Sequence, residues 1–276
     1  MATKEKLLEF LRQRQTGGIA LAFSGGTDST LLLALLRELQ NEAPFPWTAL
    51  TMHSIFQNEE ELNGVKDTTR QWAVPLNILY LEPLSIAQVR SNPPDRCYWC
   101  KRYIFTSFCE YAASQGLQTV MDGTNTDDLK VYRPGLQALR ELNIVSPLAE
   151  LGIDKKTVRA LAHDLQLPCA NKPAAPCLAT RIEYGTPLTP DIIRQTQAGE
   201  AMLRRLCSGG ADVRLRRHGD LARIEVPPAM ISAIANHHRD VVAALITLGF
   251  NYVTLDLEGF RSGSMDINLK QKNTEV

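Results

Sequence analysis

An α/β fold, with a parallel sheet wound by helices and a smaller α+β domain after it, is what this sequence predicts. Three observations carry the prediction. Strand-like and helix-like segments alternate from the N-terminus onward. The first apolar run ends in a glycine turn that leads directly into a helical pattern. Beyond a proline-rich stretch, 168–187, paired strand-like runs lie between helices. Repeated βα units imply a parallel sheet covered on both faces. Ligands of such sheets lie off the carboxyl ends of the strands.

Each element has its own justification. Lys4–Arg14 has the apolar spacing of a helix, Ile19–Phe23 is a short apolar strand, and Asp28–Asn41 is helical through Leu31, Leu32, Leu35 and Leu36. Thr48–His53 reads as a strand, Glu59–Trp72 as a helix capped by Asn58, and Leu76–Leu81 as a strand. Asp95, after Pro93-Pro94, is placed to cap a helix running to about Ser114. Thr119–Asp122 is a short strand, and Gly123-Thr124-Asn125-Thr126-Asp127-Asp128 has the composition of a turn. Asp154–Gln166 is a helix. The proline-rich stretch marks the boundary, so the domains are 1–170, a linker 171–187 containing Cys177, and 188–276. In the last, Asp191–Leu206 and Ile231–Leu248 read as helices, and Asp212–Arg217, Leu221–Val226 and Tyr252–Leu257 as strands. Residues beyond about Gly263 read as loose, and no internal repeat or low-complexity segment is seen.

Composition narrows the function. The 30 basic and 30 acidic residues cancel. An RNA-modifying enzyme would carry a basic excess for phosphate contacts, so the balance favours a small substrate over nucleic acid. No run approaches the ~20 apolar residues needed to span a bilayer. Lys4, Lys6, Arg12 and Arg14 interrupt the N-terminal segment, which reads as an amphipathic helix rather than a signal peptide. A cytoplasmic protein is therefore expected. Its six cysteines are then thiols, metal ligands or catalytic groups rather than a disulfide framework.

The glycine turn is Ser24-Gly25-Gly26-Thr27-Asp28-Ser29, between the strand and the helix. Glycines admit an anion close to backbone N–H groups, and the helix N-terminus aims its unpaired N–H groups at the same place. A Walker loop is excluded, because no Gly-Lys-Ser/Thr follows and no lysine is available to the phosphates. The G-x-G-x-x-G spacing of dinucleotide folds is absent too. SGGTDS resembles instead the PP-loop of ATP pyrophosphatases, which holds the β/γ-pyrophosphate while AMP and pyrophosphate are released. A plain glycine turn is the bland alternative. The strand tips that belong with the loop are His53-Ser54 and Asp122–Asp128.

Cys97 and Cys100 fall near the start of the helix after Asp95, where the positive helix end favours thiolate. A lone C-x-x-C admits zinc, an iron–sulfur cluster or a thioredoxin-like pair, and no thioredoxin context surrounds this one. Cys177, in a stiff proline-bounded loop, is the natural partner for either metal reading. Cys169 could complete a four-cysteine zinc site, whereas three cysteines suit a cluster with one open iron. Cys109 reads as core and Cys207 as incidental.

The PP-loop, Asp122-Gly-Thr-Asn, Arg133-Pro-Gly with Ser146-Pro-Leu, Pro176-Cys177 with Arg181, and Leu255-Asp-Leu-x-Gly-Phe-Arg-Ser-Gly263 together resemble the LarE family of ATP-dependent sulfur transferases. The resemblance implies a Rossmann-like PP-loop domain of the adenine nucleotide alpha-hydrolase-like type. It also implies adenylation of the carboxylates of pyridinium-3,5-biscarboxylic acid mononucleotide and their conversion to thiocarboxylates, in nickel-pincer nucleotide biosynthesis. Ser24, Gly25, Gly26, Thr27, Asp28, Ser29, His53, Asp122, Gly123 and Asn125 would then hold ATP with Mg2+. Arg181, Glu200, Arg214, Arg216 and Glu225 would hold the substrate. The best-known members carry only the cysteine matching Cys177 and sacrifice its sulfur. This chain is similar instead to three-cysteine members, in which Cys97, Cys100 and Cys177 would act in catalysis by holding a [4Fe-4S] cluster. A homo-oligomer, with a hexamer as one form, is implied as well; the sulfur donor is not. Read from residues alone, Arg214 and Arg216 share one face of a strand, and a solvated edge strand is the bland alternative. A tRNA-thiolating PP-loop enzyme, a PP-loop ligase with structural zinc, and a non-catalytic nucleotide or cluster carrier are the rival readings.

Overall fold

The computed structural model describes residues 2–131, 133–170, 176–207, 212–261 and 263–266. The chain divides into two compact units, Met1–Ile86 with Asp95–Ala175 and Ala87–Pro94 with Pro176–Val276. No local signal in the sequence assigns Ala87–Pro94 to the second. The expectations for 171–175 and for the tail from 267 onward lie outside the described residues. Residues 263–266 form a turn. Among the described residues no helix is long and apolar enough to cross a membrane.

In the first unit, α1 (Ala2–Arg12) and β1 (Ile19–Ala22) are followed by α2 (Thr27–Glu42), β2 (Trp47–His53), α3 (Glu59–Gln71) and β3 (Leu76–Tyr80). A short helix of the second unit, α4 (Ala87–Arg90), precedes α5 (Arg96–Ser114) and β4 (Thr119–Met121). Then come α6 (Gly135–Glu141), α7 (Pro147–Glu150) and α8 (Lys155–Asp164). The α6 and α7 helices were not expected; at seven and four residues they are too short to show a helical period.

The strands form a parallel sheet ordered β3-β2-β1-β4. Alternation along β1 decides its faces. Ile19 and Leu21 pack with α1, α2 and α8, whereas Ala20 and Ala22 pack with α5 and α6. Both faces are thus covered, as a parallel sheet requires. The chain leaves β1 through α2 toward β2 on one side, and β4 joins β1 on the other. The carboxyl ends of β1 and β4 therefore flank the switch point, where open α/β sheets form a crevice.

The second unit adds α9 (Pro190–Leu206), β5 (Arg214–His218), β6 (Leu221–Glu225), α10 (Ile231–Asn236), α11 (His238–Thr247) and β7 (Tyr252–Leu255). Its sheet is ordered β5-β6-β7, with β5–β6 antiparallel and β6–β7 parallel. Leu203, Leu215, Ile224, Val241, Leu245 and Phe250 belong to its core. The single helix expected over Ile231–Leu248 is broken at His237. Residues 235–240 are all exposed, so no side chain there ties a continuous helix to the core.

Candidate active site

The glycine loop leaves β1 at the switch point. Gly25 takes φ +70°, a conformation that L side chains rarely adopt. Gly26 is different. Its φ of −82° is open to any residue, and among the described residues a Cβ there would meet only Ser24 Oγ at 3.5 Å. No described residue requires glycine at 26, which suits a ligand approaching the backbone there. Gly26 is also the N-cap of α2, and no side chain caps that terminus. The loop is held from within: Ser29 Oγ accepts from Ser24 N at 3.3 Å, lies 3.2 Å from Ser24 Oγ and donates to Gly26 O at 3.2 Å. Thr30 Oγ1 donates to the same carbonyl at 2.8 Å, and Thr27 Oγ1 donates to Cys169 O at 2.9 Å.

The tip of β4 closes on this loop. A Cβ on Gly123 would stand 3.0 Å from Ser29 N and 3.2 Å from Asp28 Cβ, so Gly123 is the residue that lets the two loops pack. Asp122 is buried and accepts from Thr124 N (3.2 Å), Thr124 Oγ1 (2.5 Å) and Ser146 Oγ (2.6 Å), with Lys101 Nζ 3.8 Å away. Asn125 Oδ1 accepts from Asp127 N and Asp128 N, while its Nδ2 reaches Asp28 Oδ1 at 3.1 Å. The other Asp28 oxygen accepts from Lys155 Nζ. At the tip of β2, His53 Nδ1 and Gln57 Oε1 are buried with no hydrogen-bond partner among the described residues. Two such atoms are costly unless something outside the described residues satisfies them. The nucleotide-site residues named from the sequence thus gather around one end of the first unit's sheet.

The cysteine pair belongs to the same unit. Cys97 is the second residue of α5 and Cys100 the fifth, so one helical turn puts both on one face, half-buried. Asp95 stands at the N-cap, yet its carboxylate makes no capping bond and accepts instead from Trp99 Nε1 at 3.1 Å. Arg96 Nη2 donates to Cys97 Sγ at 3.8 Å. A Cβ on Gly135 would meet Lys101 Cδ at 2.8 Å and Cys97 O at 3.3 Å, so α6 packs directly on this turn of α5. Cys169 is buried in the apolar cluster of α1, α2 and α8. Burial raises the Cys109 thiol above its ordinary range, aided by the charge of Glu110, and burial also raises Cys207. Within neither unit do three His, Cys, Asp or Glu side chains gather as a metal-holding group among the described residues.

Cys177 lies in the second unit, half-buried, just before a 3-10 turn over Leu178–Arg181. Arg181 anchors its loop: Nη1 donates to Pro176 O at 2.7 Å and to Cys177 O at 3.4 Å. The rest of the guanidinium forks onto Glu200, Nε to Oε2 at 2.9 Å and Nη2 to Oε1 at 3.0 Å. Glu200 also accepts from Leu215 N at 3.2 Å and from Arg204. Burial works to raise the Glu200 carboxyl, but hydrogen bonds and charge from Arg181, with Arg204 and Arg214, outweigh it and hold the carboxyl below its ordinary range.

Arg216 pairs with Glu225 at 2.9 Å and donates to Thr180 O at 3.1 Å. Ser264 Oγ and Arg223 complete the Glu225 shell. Arg214 donates to Val213 O at 2.9 Å and to Asp212 at 3.2 Å, and lies over the Phe260 ring. Burial lowers the pKa of Arg214 and Arg216. The solvated-edge alternative for this strand fails, because Arg214, Arg216 and Arg217 are all buried. The five substrate residues named from the sequence are together in this unit. Of the buried guanidinium groups there, Arg181 pairs with buried Glu200, Arg216 with buried Glu225, and Arg214 with Asp212.

Sequence reading missed Lys101, Lys155, Arg204 and Ser264. For Lys155 and Ser264 there was no local signal, since their partners Asp28 and Glu225 are 127 and 39 positions away. Arg204, four residues after Glu200 on a predicted helix, did carry one.

Comparison with known proteins adds to this geometry. A family model described as a PP-loop domain matches residues 1–94. The chain is 38% identical over 270 residues to the pyridinium-3,5-bisthiocarboxylic acid mononucleotide synthase of Lactiplantibacillus plantarum, covering 98% of this chain and 96% of that protein. It is 36% identical over 266 residues to an uncharacterized protein of Synechocystis sp., covering 95% and 97%. With an uncharacterized protein of Methanocaldococcus jannaschii it shares 30% identity over 244 residues, covering 88% and 91%.

Proposed function

The chain belongs to the LarE family of ATP-dependent sulfur transferases, and from that premise we propose that it converts the carboxylates of pyridinium-3,5-biscarboxylic acid mononucleotide to thiocarboxylates. A cytoplasmic homo-oligomer working in nickel-pincer nucleotide biosynthesis is the setting of this reading. A carboxylate is a poor electrophile, so it is first activated. One of its oxygens attacks the α-phosphorus of ATP, forming an acyl-adenylate as the bond to pyrophosphate breaks. A sulfur nucleophile then attacks the acyl carbon, and the C–O bond to AMP breaks.

The observation that carries the reading is the open backbone cradle at Gly26, on an uncapped helix N-terminus at the sheet's switch point. Ser24–Ser29 would grip the pyrophosphate, with Asp28, Asp122, Gly123 and Asn125 shaping the crevice and serving Mg2+. The unsatisfied His53 Nδ1 and Gln57 Oε1 suit a base with both donor and acceptor edges. In the second unit the buried network of Arg181, Glu200, Arg214, Arg216 and Glu225 would hold the acceptor's anionic groups.

The donor set also suits an iron–sulfur group: two thiols one turn apart on α5, and a third on a loop whose backbone Arg181 fixes. Held by Cys97, Cys100 and Cys177, a [4Fe-4S] cluster would keep one iron open and supply sulfide for transfer. Those cysteines divide between the two units, and their meeting is part of the proposal. Protein prepared without oxygen should contain iron and acid-labile sulfide, and Cys97→Ala or Cys100→Ala should abolish both. With ATP and the biscarboxylate, it should release pyrophosphate and form thiocarboxylate. Zinc in place of iron would refute the cluster. Thiolation of tRNA, or AMP release that needs ammonia and transfers no sulfur, would refute the substrate.

A further inference from the structure

We propose that Arg96 is the counter-charge of the cysteine pair: its buried guanidinium donates to the Cys97 sulfur and balances the negative charge that an iron–sulfur group brings to this turn of α5. The proposal rests on the cluster reading and adds to it a positioning residue that ligates nothing itself. Arg96 is the first residue of α5 and only 2% exposed, and its Nη2 donates to Cys97 Sγ at 3.8 Å. Burying a guanidinium is costly, and the positive end of a helix repels it further. The first turn of α5 carries no acidic side chain, and Asp95, at the N-cap, is exposed and accepts from Trp99 Nε1. What the turn does carry is two thiols, Cys97 and Cys100, and a thiolate is an anion that accepts hydrogen bonds strongly.

A cluster held by thiolates is anionic, and each electron or hydrosulfide added to it deepens that charge. A fixed cation on a ligand sulfur favours the more negative form, since hydrogen bonds to sulfur and burial set the potential of such a group. The other cations of this turn are directed elsewhere. Lys101 Nζ lies 3.8 Å from Asp122 Oδ2 and over the Phe105 ring, while Arg102 is exposed and donates to Tyr98 Oη at 3.1 Å. Adjacent helix positions point about 100° apart, so only a long side chain at 96 can curl back onto the sulfur of 97. A guanidinium keeps its proton at every ordinary pH, and burial shields this one from screening by salt. The counter-charge is therefore permanent.

The test uses full-length protein prepared without oxygen: the wild type and the Arg96→Gln, Arg96→Lys and Arg102→Gln variants. Iron and acid-labile sulfide are measured first, and the midpoint potential is then read by electron paramagnetic resonance during a dithionite titration. Arg96→Gln should make reduction about 10-fold less favourable, the worth of one charge-assisted hydrogen bond, which moves a one-electron potential about 59 mV more negative. Arg96→Lys should recover more than half of that shift, and Arg102→Gln, whose charge lies in water, should leave the potential where it was. An Arg96→Gln protein with wild-type iron and an unmoved potential would overturn the proposal, as would Arg96→Lys behaving no better than Arg96→Gln. Should Arg96→Gln fail to fold, the wild type grown on isotopically labelled arginine decides. Coupling of a guanidinium nitrogen to the reduced cluster, lost in Arg96→Lys, is the expected result, and its absence would overturn the proposal. A wild type that holds no iron would instead overturn the cluster reading itself.

Discussion

Replacing Glu200 by Gln tests whether the buried charge network holds the second unit together. Glu200 is 1% exposed, and its oxygens accept two hydrogen bonds from Arg181, one from Leu215 N and one from Arg204. Glutamine keeps the volume but removes the charge, and it turns one acceptor into an NH2 that must face guanidinium. Breaking a buried ion pair costs about 3–5 kcal/mol; because one acceptor oxygen remains, the expected loss is at the lower end, about 3 kcal/mol.

The pH dependence follows from the depressed Glu200 carboxyl. A carboxyl with a lowered folded pKa contributes stability that is full above its unfolded value, near 4.5, and lost as pH falls through the folded value. The gap between wild type and variant should therefore be constant at neutral pH and close on acidification. Amide hydrogen exchange along α9 and β5 reads the second unit. Tryptophan fluorescence reads the first, since Trp47, Trp72 and Trp99 all lie there. The expected result is faster exchange in α9 and β5 with the tryptophan transition unmoved. A loss under about 0.5 kcal/mol, within the range of a neutral surface change, would refute the reasoning, as would a gap that widens in acid.

Other outcomes follow from single contacts. Gly26→Ala should fold with near wild-type stability and lose ATP binding, because among the described residues its Cβ meets only Ser24 Oγ, at 3.5 Å. Gly25→Ala, at φ +70°, should instead lose about 1 kcal/mol of stability, visible in urea unfolding. In Gly123→Ala the new Cβ meets α2 backbone at 3.0 Å, so both stability and ATP affinity should fall. Cys109 and Cys207, whose thiols burial raises, should alkylate slowly at neutral pH and faster as pH rises, which mass spectrometry of iodoacetamide-treated protein would report.

The βα order, the glycine loop and the strand tips were legible because their signals are local. A run of Ile19–Phe23, two glycines and a leucine period need only a dozen neighbouring residues to be recognised. The break at His237 was not, although the exposed run 235–240 lies in plain sight, because a helical pattern reads through a gap in its apolar face.

Charge pairing is where local reading stops. From residues alone, Arg214 and Arg216 fit a solvated strand as well as a binding face. They are buried because Glu225, brought opposite by the β5–β6 register, and Glu200, carried in by α9, neutralise that side of the strand. The same holds for Asp28, whose lysine comes from the start of α8. Hydrophobic period and turn chemistry are written into neighbouring residues, so they determine which elements form and where the anion cradle lies. Which charges meet depends on contacts across the whole chain, and so Lys155 joins the loop and Arg181 anchors Cys177 only once the units have folded.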